Sequence, residues 1–197
     1  MDLNIDPSLA MLLGYAFGSI PFGLILARMA GLGDIRQIGS GNIGATNVLR
    51  TGNKGVAAAT LLLDGLKGFV PVFLAWQWFT NDIGWTALGA VLGHCFPVWL
   101  NFKGGKGVAT NAGVCFGLGW PIGLTYAVVW LGMLAVTRIS SVAGMSAVLA
   151  AIGAAWFVGR YSFVPPLVII AAIIIWLHRE NIARLRRGEE PRVGRKS

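Results

Sequence analysis

Apolar positions fall into long uninterrupted runs, at about 9–29, 56–79 and 85–100, each bounded by short stretches rich in Gly, Asn, Lys and Arg. Runs of this length carry enough residues to cross roughly 30 Å of hydrocarbon at about 1.5 Å per residue, so each is read as a membrane-spanning helix. The next run, 108–137, is too long for one span and is interrupted by Gly117, Gly119 and Pro121, which divides it into a short span and a full one. Two more follow at 141–158 and 163–177, separated by Gly159, Arg160 and Tyr161. The pattern predicts an all-α, polytopic membrane bundle of seven transmembrane helices, with a count of five or six as the alternative. The pairs Gly14/Gly18, Gly89/Gly93, Gly113/Gly117 and Gly119/Gly123 are read as places where helix backbones approach closely.

Composition strengthens this reading. Only 12% of the 197 residues are charged, and the mean hydropathy is +0.68. A water-soluble domain needs about twice that share of charge, so that class is excluded. Net charge is +8, which on a soluble scaffold would suggest nucleic acid, but the basic residues lie between the apolar runs. With seven spans, Arg28, Arg36, Arg50, Lys54, Lys103, Lys106, Arg138 and the C-terminal basic residues share one side, and only Arg160 lies opposite. Basic loops mark the cytoplasmic face, so the N-terminus is expected outside and the C-terminus inside. Asp2, Asp6 and Asp82 fall on the outer side, with Trp76, Trp78, Trp85, Trp120 and Trp156 near that interface. The start MDLNIDPS lacks the positive region of a cleavable signal, so the first run is expected to persist. Cys95 and Cys115 are expected to be free, buried thiols. Residues 1–182 form the expected membrane domain and 183–197 a basic tail attracted to anionic lipid.

Chemistry gathers in three polar islands. The first, GSGNIGATNVLR, holds Ser40, Asn42, Thr46, Asn47 and Arg50, with Gly39, Gly41 and Gly44 spelling GxGxxG. Asp64, 20 residues beyond, completes an apparent dinucleotide pattern, but that pattern works only in a strand–turn–helix unit and here it lies between spans. What remains is anion binding by Gly-rich backbone, a helix start and Arg50, against the plainer reading of a turn with an anchoring Arg. The second island, NFKGGKGVATN, contains Lys103, Gly104, Gly105, Lys106 and Gly107. It lacks the Ser or Thr that follows Lys in an ATP-binding loop, so it is read as a phosphate cradle or as interfacial lysine anchors. The third, HREN, puts His178 and Asn181 on one helix face, with Arg179 and Glu180 between them. Deeper lie Asp64 and Lys67, one turn apart, and His94; such groups must be paired or face a polar cavity. The topology brings all three islands to the cytoplasmic side. A transporter of a phosphorylated solute would use similar loops, but no internal repeat supports one.

These three motifs, in this order and spacing, resemble the signature motifs of the bacterial acyl-phosphate glycerol-3-phosphate acyltransferases, the PlsY family. The resemblance spans essentially the whole chain. It implies an enzyme of phospholipid synthesis in the bacterial inner membrane, its site facing the cytoplasm. Such an enzyme transfers a fatty acyl group from acyl phosphate to the sn-1 hydroxyl of glycerol 3-phosphate, giving lysophosphatidic acid and phosphate. It implies no cofactor and no metal, membrane lipid as surroundings, no nucleic acid, and a possible peripheral partner that produces acyl phosphate. By the resemblance Ser40, Arg50, His178 and Asn181 are catalytic, while Lys103, Gly104, Gly105, Lys106 and Gly107 bind glycerol 3-phosphate. Asn42, Thr46, Asn47 and Ser141 are further substrate-binding candidates, and Asp64, Lys67, His94 and Glu180 support them. An acyl phosphate is already activated, so direct transfer is expected without an acyl-enzyme. The proton acceptor is either His178 or a substrate phosphate.

Overall fold

The computed structural model describes residues 7–194, and all regular structure among them is helical. The main helices are α1 (Pro7–Gly18), α2 (Phe22–Met29), α3 (Ala45–Leu49), α4 (Lys54–Trp78) and α5 (Ile83–Cys95). They are followed by α6 (Val108–Leu118), α7 (Trp120–Thr137), α8 (Ser140–Phe157), α9 (Val164–Leu177) and α10 (Arg179–Arg186). Among the described residues, five helical segments are long and apolar enough to cross a membrane: Pro7–Met29, Lys54–Trp78, Ile83–Leu100, Trp120–Thr137 and Ser140–Phe157. A sixth is added if α9 and α10, bent by 56° at His178, count as one. Large side chains on the outside, such as Phe73, Leu131, Val136 and Phe157, are exposed as a lipid-facing surface requires.

The predicted runs are helical over most of their length, the 85–100 run ending its α-helix at Cys95, and the interruption between α6 and α7 falls at Gly119, within the 117–121 stretch that breaks the run. The first run carries a further break. Pro21 cannot donate a backbone hydrogen bond, and α1 stops at Gly18 before α2 resumes at Phe22.

Glycine sets the helix spacing. On α1 and α5, which run parallel, a Cβ at Gly14 would lie 2.0 Å from the Thr86 carbonyl oxygen, and one at Gly89 would lie 2.1 Å from that of Met11. On α4 and α6, also parallel, a Cβ at Gly68 or Gly113 would lie 2.1 or 1.8 Å from the facing carbonyl of Thr110 or Gly65. Three of the four glycine pairs therefore make backbone-to-backbone contacts. The fourth differs, because Gly123 accommodates the ring of Phe116 within its own helical hairpin.

The α4–α6 register explains why α6 has only 11 residues. Its first turn, at Ala109 and Thr110, meets Gly65 and Gly68, which lie well inside α4. At 1.5 Å per residue these glycines are roughly 17–21 Å from the start of α4. The loop before α6 therefore dips into the bundle, and the helix begins there instead of at the surface.

The boundary expected after 182 falls inside α10. The chain beyond it folds back: the Val193 amide donates to the Arg138 carbonyl at 2.7 Å, and Glu190 is bonded to Ser141 on α8.

Candidate active site at the dipping glycine loop

The second island lines this re-entrant loop. Gly104 and Gly105 donate their amides to the carbonyls of Cys95 and His94, each at 3.0 Å, so the loop is stitched to the end of α5. A side chain at Gly105 would strike the His94 ring, and Gly107 adopts a φ of +84°, which favours glycine. The amides of Gly104 and Gly105 are thus spent on the protein. Those of Lys106 and Gly107 and of the first turn of α6 have no backbone acceptor among the described residues, and they make the end of α6 suited to an anion.

Lys106 joins this loop to the third island. Its half-buried ammonium donates to the Asn181 side-chain oxygen. Burial pushes the Lys106 pKa below the ordinary lysine value; Arg184 and Arg179 act in the same direction, and Glu180 and Glu190 oppose them. The Asn181 amide nitrogen in turn donates to Glu190 at 2.5 Å, and Ser141 Oγ reaches the same carboxylate oxygen at 2.7 Å. Arg184 Nε donates to the other oxygen at 2.7 Å. Burial opposes ionisation of Glu190, but the hydrogen bonds from Asn181, Ser141 and Arg184 outweigh it and hold the carboxyl below its usual range.

His178 sits at the bend between α9 and α10, buried, with Nδ1 2.7 Å from the Ile174 carbonyl. A carbonyl only accepts, so Nδ1 carries the proton and Nε2 of the neutral ring keeps its lone pair. Glu180 and Lys103 point to solvent without a hydrogen-bonded partner among the described residues.

The first island is a separately braced loop. Asn47, buried, accepts from the Ser40 amide at 3.1 Å and from Ser40 Oγ at 3.3 Å, while its own amide nitrogen donates to the Ile35 carbonyl. Asn42 accepts from the Gly44 amide at 2.8 Å. Both asparagines therefore shape the loop. Arg50 lies across Gly39, where a Cβ would stand 2.8 Å from its Nη1, and its guanidinium is exposed and unpaired among the described residues. Thr46 is also exposed. This loop packs through Ile35, Ile43 and Val48 against Leu100, at the entrance to the second island. No hydrogen bond or ion pair among the described residues links Ser40 or Arg50 to Lys106 or Asn181.

The deeper charges are paired. Lys67 Nζ lies 2.8 Å from Asp64 Oδ1 and donates to the Ile20 carbonyl at 2.7 Å, in the α1–α2 break. Asp64 Oδ1 is also 3.8 Å from His94 Nδ1. The carbonyl of that same histidine holds Gly105, so the buried cluster reaches from the proline break to the glycine loop.

Sequence reasoning missed Glu190 and Arg184. Glu190 follows a Gly-Glu pair in a basic, flexible-looking tail, and only the fold-back distinguishes it from its neighbour Glu189, which pairs with Arg187 at the surface. No local signal would have found it.

An all-helical bundle with several apolar helices, whose basic loop and helix start meet a part-buried polar cluster, defines a class: an integral membrane protein with a loop suited to an anion. The glycerol-3-phosphate acyltransferase family model matches residues 8–188. The chain is 80% identical over 196 residues to the glycerol-3-phosphate acyltransferase of Erythrobacter litoralis, covering 100% of both. It is 54% identical to that of Mesorhizobium japonicum, covering 95% of this chain and 96% of the relative. The fold matches crystal structures of PlsY (YgiH), an integral membrane glycerol 3-phosphate acyltransferase. The glycerol 3-phosphate form gives a TM-score of 0.90 at 40% identity, and the lysophosphatidic acid form 0.86 at 38%, each covering 96% of both chains. The chain belongs to the glycerol-3-phosphate acyltransferase family, on the PlsY branch, and is a multi-pass membrane protein.

Proposed function

We propose that this protein transfers a fatty acyl group from acyl phosphate to the sn-1 hydroxyl of glycerol 3-phosphate, releasing lysophosphatidic acid and inorganic phosphate. The observation that carries this reading is the Lys106–Asn181 contact, which joins the glycine loop to the third motif beside a helix start with unspent amides. Lys106 and those amides hold the glycerol 3-phosphate phosphate, with Gly104, Gly105 and Gly107 setting the path of the loop. Ser40 and Arg50, on the neighbouring loop, face the donor phosphate. Asn42 and Asn47 brace that loop, Thr46 and Lys103 add exposed polar contacts, and Asp64, Lys67 and His94 support the site from below.

The acceptor hydroxyl oxygen attacks the acyl carbonyl carbon, the bond from that carbon to the phosphate oxygen breaks, and phosphate leaves. The hydroxyl proton passes to a substrate phosphate, whose second pKa of about 6 suits neutral pH. His178 Nε2, the free acceptor of its ring, is the alternative acceptor. No acyl-enzyme is formed, since the anhydride is already activated and positioning with charge stabilisation suffices. Purified protein given both substrates is expected to produce lysophosphatidic acid and one phosphate per turnover, and acyl-CoA is expected not to replace acyl phosphate. Absence of lysophosphatidic acid, or a stoichiometric burst of phosphate from acyl phosphate alone, would overturn this scheme.

The same reading places seven traverses in the bacterial inner membrane, with the N-terminus outside and the site facing the cytoplasm, where an acyl-phosphate-producing enzyme could dock on the basic surface. Arg50, Lys103 and Arg179 are exposed, whereas Cys95 and Cys115 are buried. Single cysteines at those three positions should therefore react with an impermeant maleimide from one side of sealed inner-membrane vesicles, the cytoplasmic one. Labelling from different sides sinks the shared site.

A further inference from the structure

We propose that Glu190, in the C-terminal fold-back, is a positioning residue of the acyl-transfer site that selects the working orientation of Asn181 and thereby sets Lys106 for substrate phosphate. The inference rests on the reading of Lys106 given above and adds a residue outside the three motifs.

The first observation is how differently two adjacent glutamates are treated. Glu189 is 57% exposed and pairs with Arg187 in solvent, whereas the Glu190 side chain is 6% exposed and accepts from three groups on two helices. A carboxylate is taken out of water in this way only where its acceptor sites are filled, and here Ser141, Asn181 and Arg184 fill them. The backbone keeps it there. Gly188 turns the chain with a φ of +72°, the Glu189 amide donates to the Arg184 carbonyl at 2.9 Å, and Val193 is tied to Arg138.

The second observation is the polarity of the chain of bonds. An asparagine amide presents an acceptor on one side and donors on the other, and Lys106 is a donor only. An ionised carboxylate is an acceptor only. With Glu190 taking the amide nitrogen, the Asn181 oxygen must face Lys106. A flipped amide would set nitrogen against the ammonium and oxygen against the carboxylate, losing both bonds. Glu190 thus fixes where the ammonium rests without touching it, and Asn181 supplies that ammonium with a neutral partner, which leaves its charge for the ligand.

Initial rates of full-length protein in lipid vesicles, for Glu190→Gln, Glu190→Asp and Glu189→Gln, test this together with thermal unfolding midpoints. Glu190→Gln keeps the volume but offers an amide in place of the carboxylate. It is expected to raise the KM for glycerol 3-phosphate about ten- to a hundredfold, the loss of a hydrogen bond to a charged group, with the KM for acyl phosphate little changed. Glu190→Asp should recover part of the loss and Glu189→Gln should behave as wild type. Exchanging the two functional groups in Asn181→Asp with Glu190→Gln restores an acceptor toward Lys106 and a donor toward residue 181, so the double variant should bind glycerol 3-phosphate better than Asn181→Asp alone. Wild-type kinetics for Glu190→Gln would overturn the inference. So would a fall in activity that leaves both KM values unchanged or raises them equally, because that marks a merely structural residue. If the wild-type protein itself forms no lysophosphatidic acid, the functional reading has failed, a result distinct from an unaffected Glu190→Gln in an active enzyme.

Discussion

Lys106→Ala should raise the KM for glycerol 3-phosphate, or lower kcat/KM for it, by roughly two to three orders of magnitude, the size expected for losing a preorganised charged donor. The reason lies in how the two partly or wholly buried lysines are treated. Lys67 is matched by Asp64 at 2.8 Å, so its charge is consumed inside the protein. Lys106 is bonded to the neutral Asn181 oxygen and forms no ion pair among the described residues. Its charge is therefore available to a dianion. Lys103→Ala is the control, since Lys103 is exposed and engages no side chain among the described residues; it should change the same constants by severalfold at most. Lys106→Arg keeps the charge but brings a wider, planar group into a space bounded by Asn181, and is expected to restore only part of the activity. Because burial lowers the Lys106 pKa, the ammonium form is lost at lower pH than for an ordinary lysine. The KM for glycerol 3-phosphate should accordingly rise on the alkaline side, and that limb should vanish in Lys106→Ala. Kinetics at saturating acyl phosphate decide the matter: an unchanged KM removes Lys106 from the phosphate site.

Asp64→Ala should destabilise the bundle by about 3–5 kcal/mol, the usual consequence of leaving one charge of a buried pair without its partner. Lys67 would keep its bond to the Ile20 carbonyl, but the ammonium would stand unneutralised among apolar helices, 3% exposed. Replacing both, as Asp64→Leu with Lys67→Met, removes the desolvation cost with the attraction and should recover most of the loss. The readout is available in the chain itself. Cys95 and Cys115 are fully buried, so the temperature at which they begin to react with a thiol reagent in detergent reports loosening of the bundle. A single variant as resistant as wild type would show that the pair is not holding the helices. A double variant as weak as the single one would show that these residues act separately. Because His94 lies 3.8 Å from Asp64 and its carbonyl holds Gly105, the single variant should also weaken glycerol 3-phosphate binding when assayed below its melting range.

Much of the architecture was legible along the chain because the bilayer imposes a simple rule on sequence: residues facing hydrocarbon must be apolar for a full helix length. That rule placed the helices and broke the fourth apolar run near Gly119. It also required Asp64 and Lys67 either to be paired or to face a polar cavity, and the structure pairs them. The three islands and Ser40, Arg50, Lys106, His178 and Asn181 stand out for the same reason, since polar groups between spans are few. The rule says nothing of depth. The short α6 looked like a trimmed span, whereas its start lies inside the bundle because Gly65 and Gly68 allow its backbone to meet α4 part-way along.

What the linear chain determined by itself was the all-helical membrane class, the helices, and the residue types able to hold phosphate, because solvent polarity acts on each segment separately. Only the tertiary structure decided which polar groups are spent on the protein and which remain for a ligand. Asn42 and Asn47 are used to brace their loop, the amides of Gly104 and Gly105 are tied to α5, and Ser141 is turned toward Glu190. A hydrogen-bonding group is available only when its neighbours in space leave it so, and those neighbours are brought together from distant parts of the chain by helix packing.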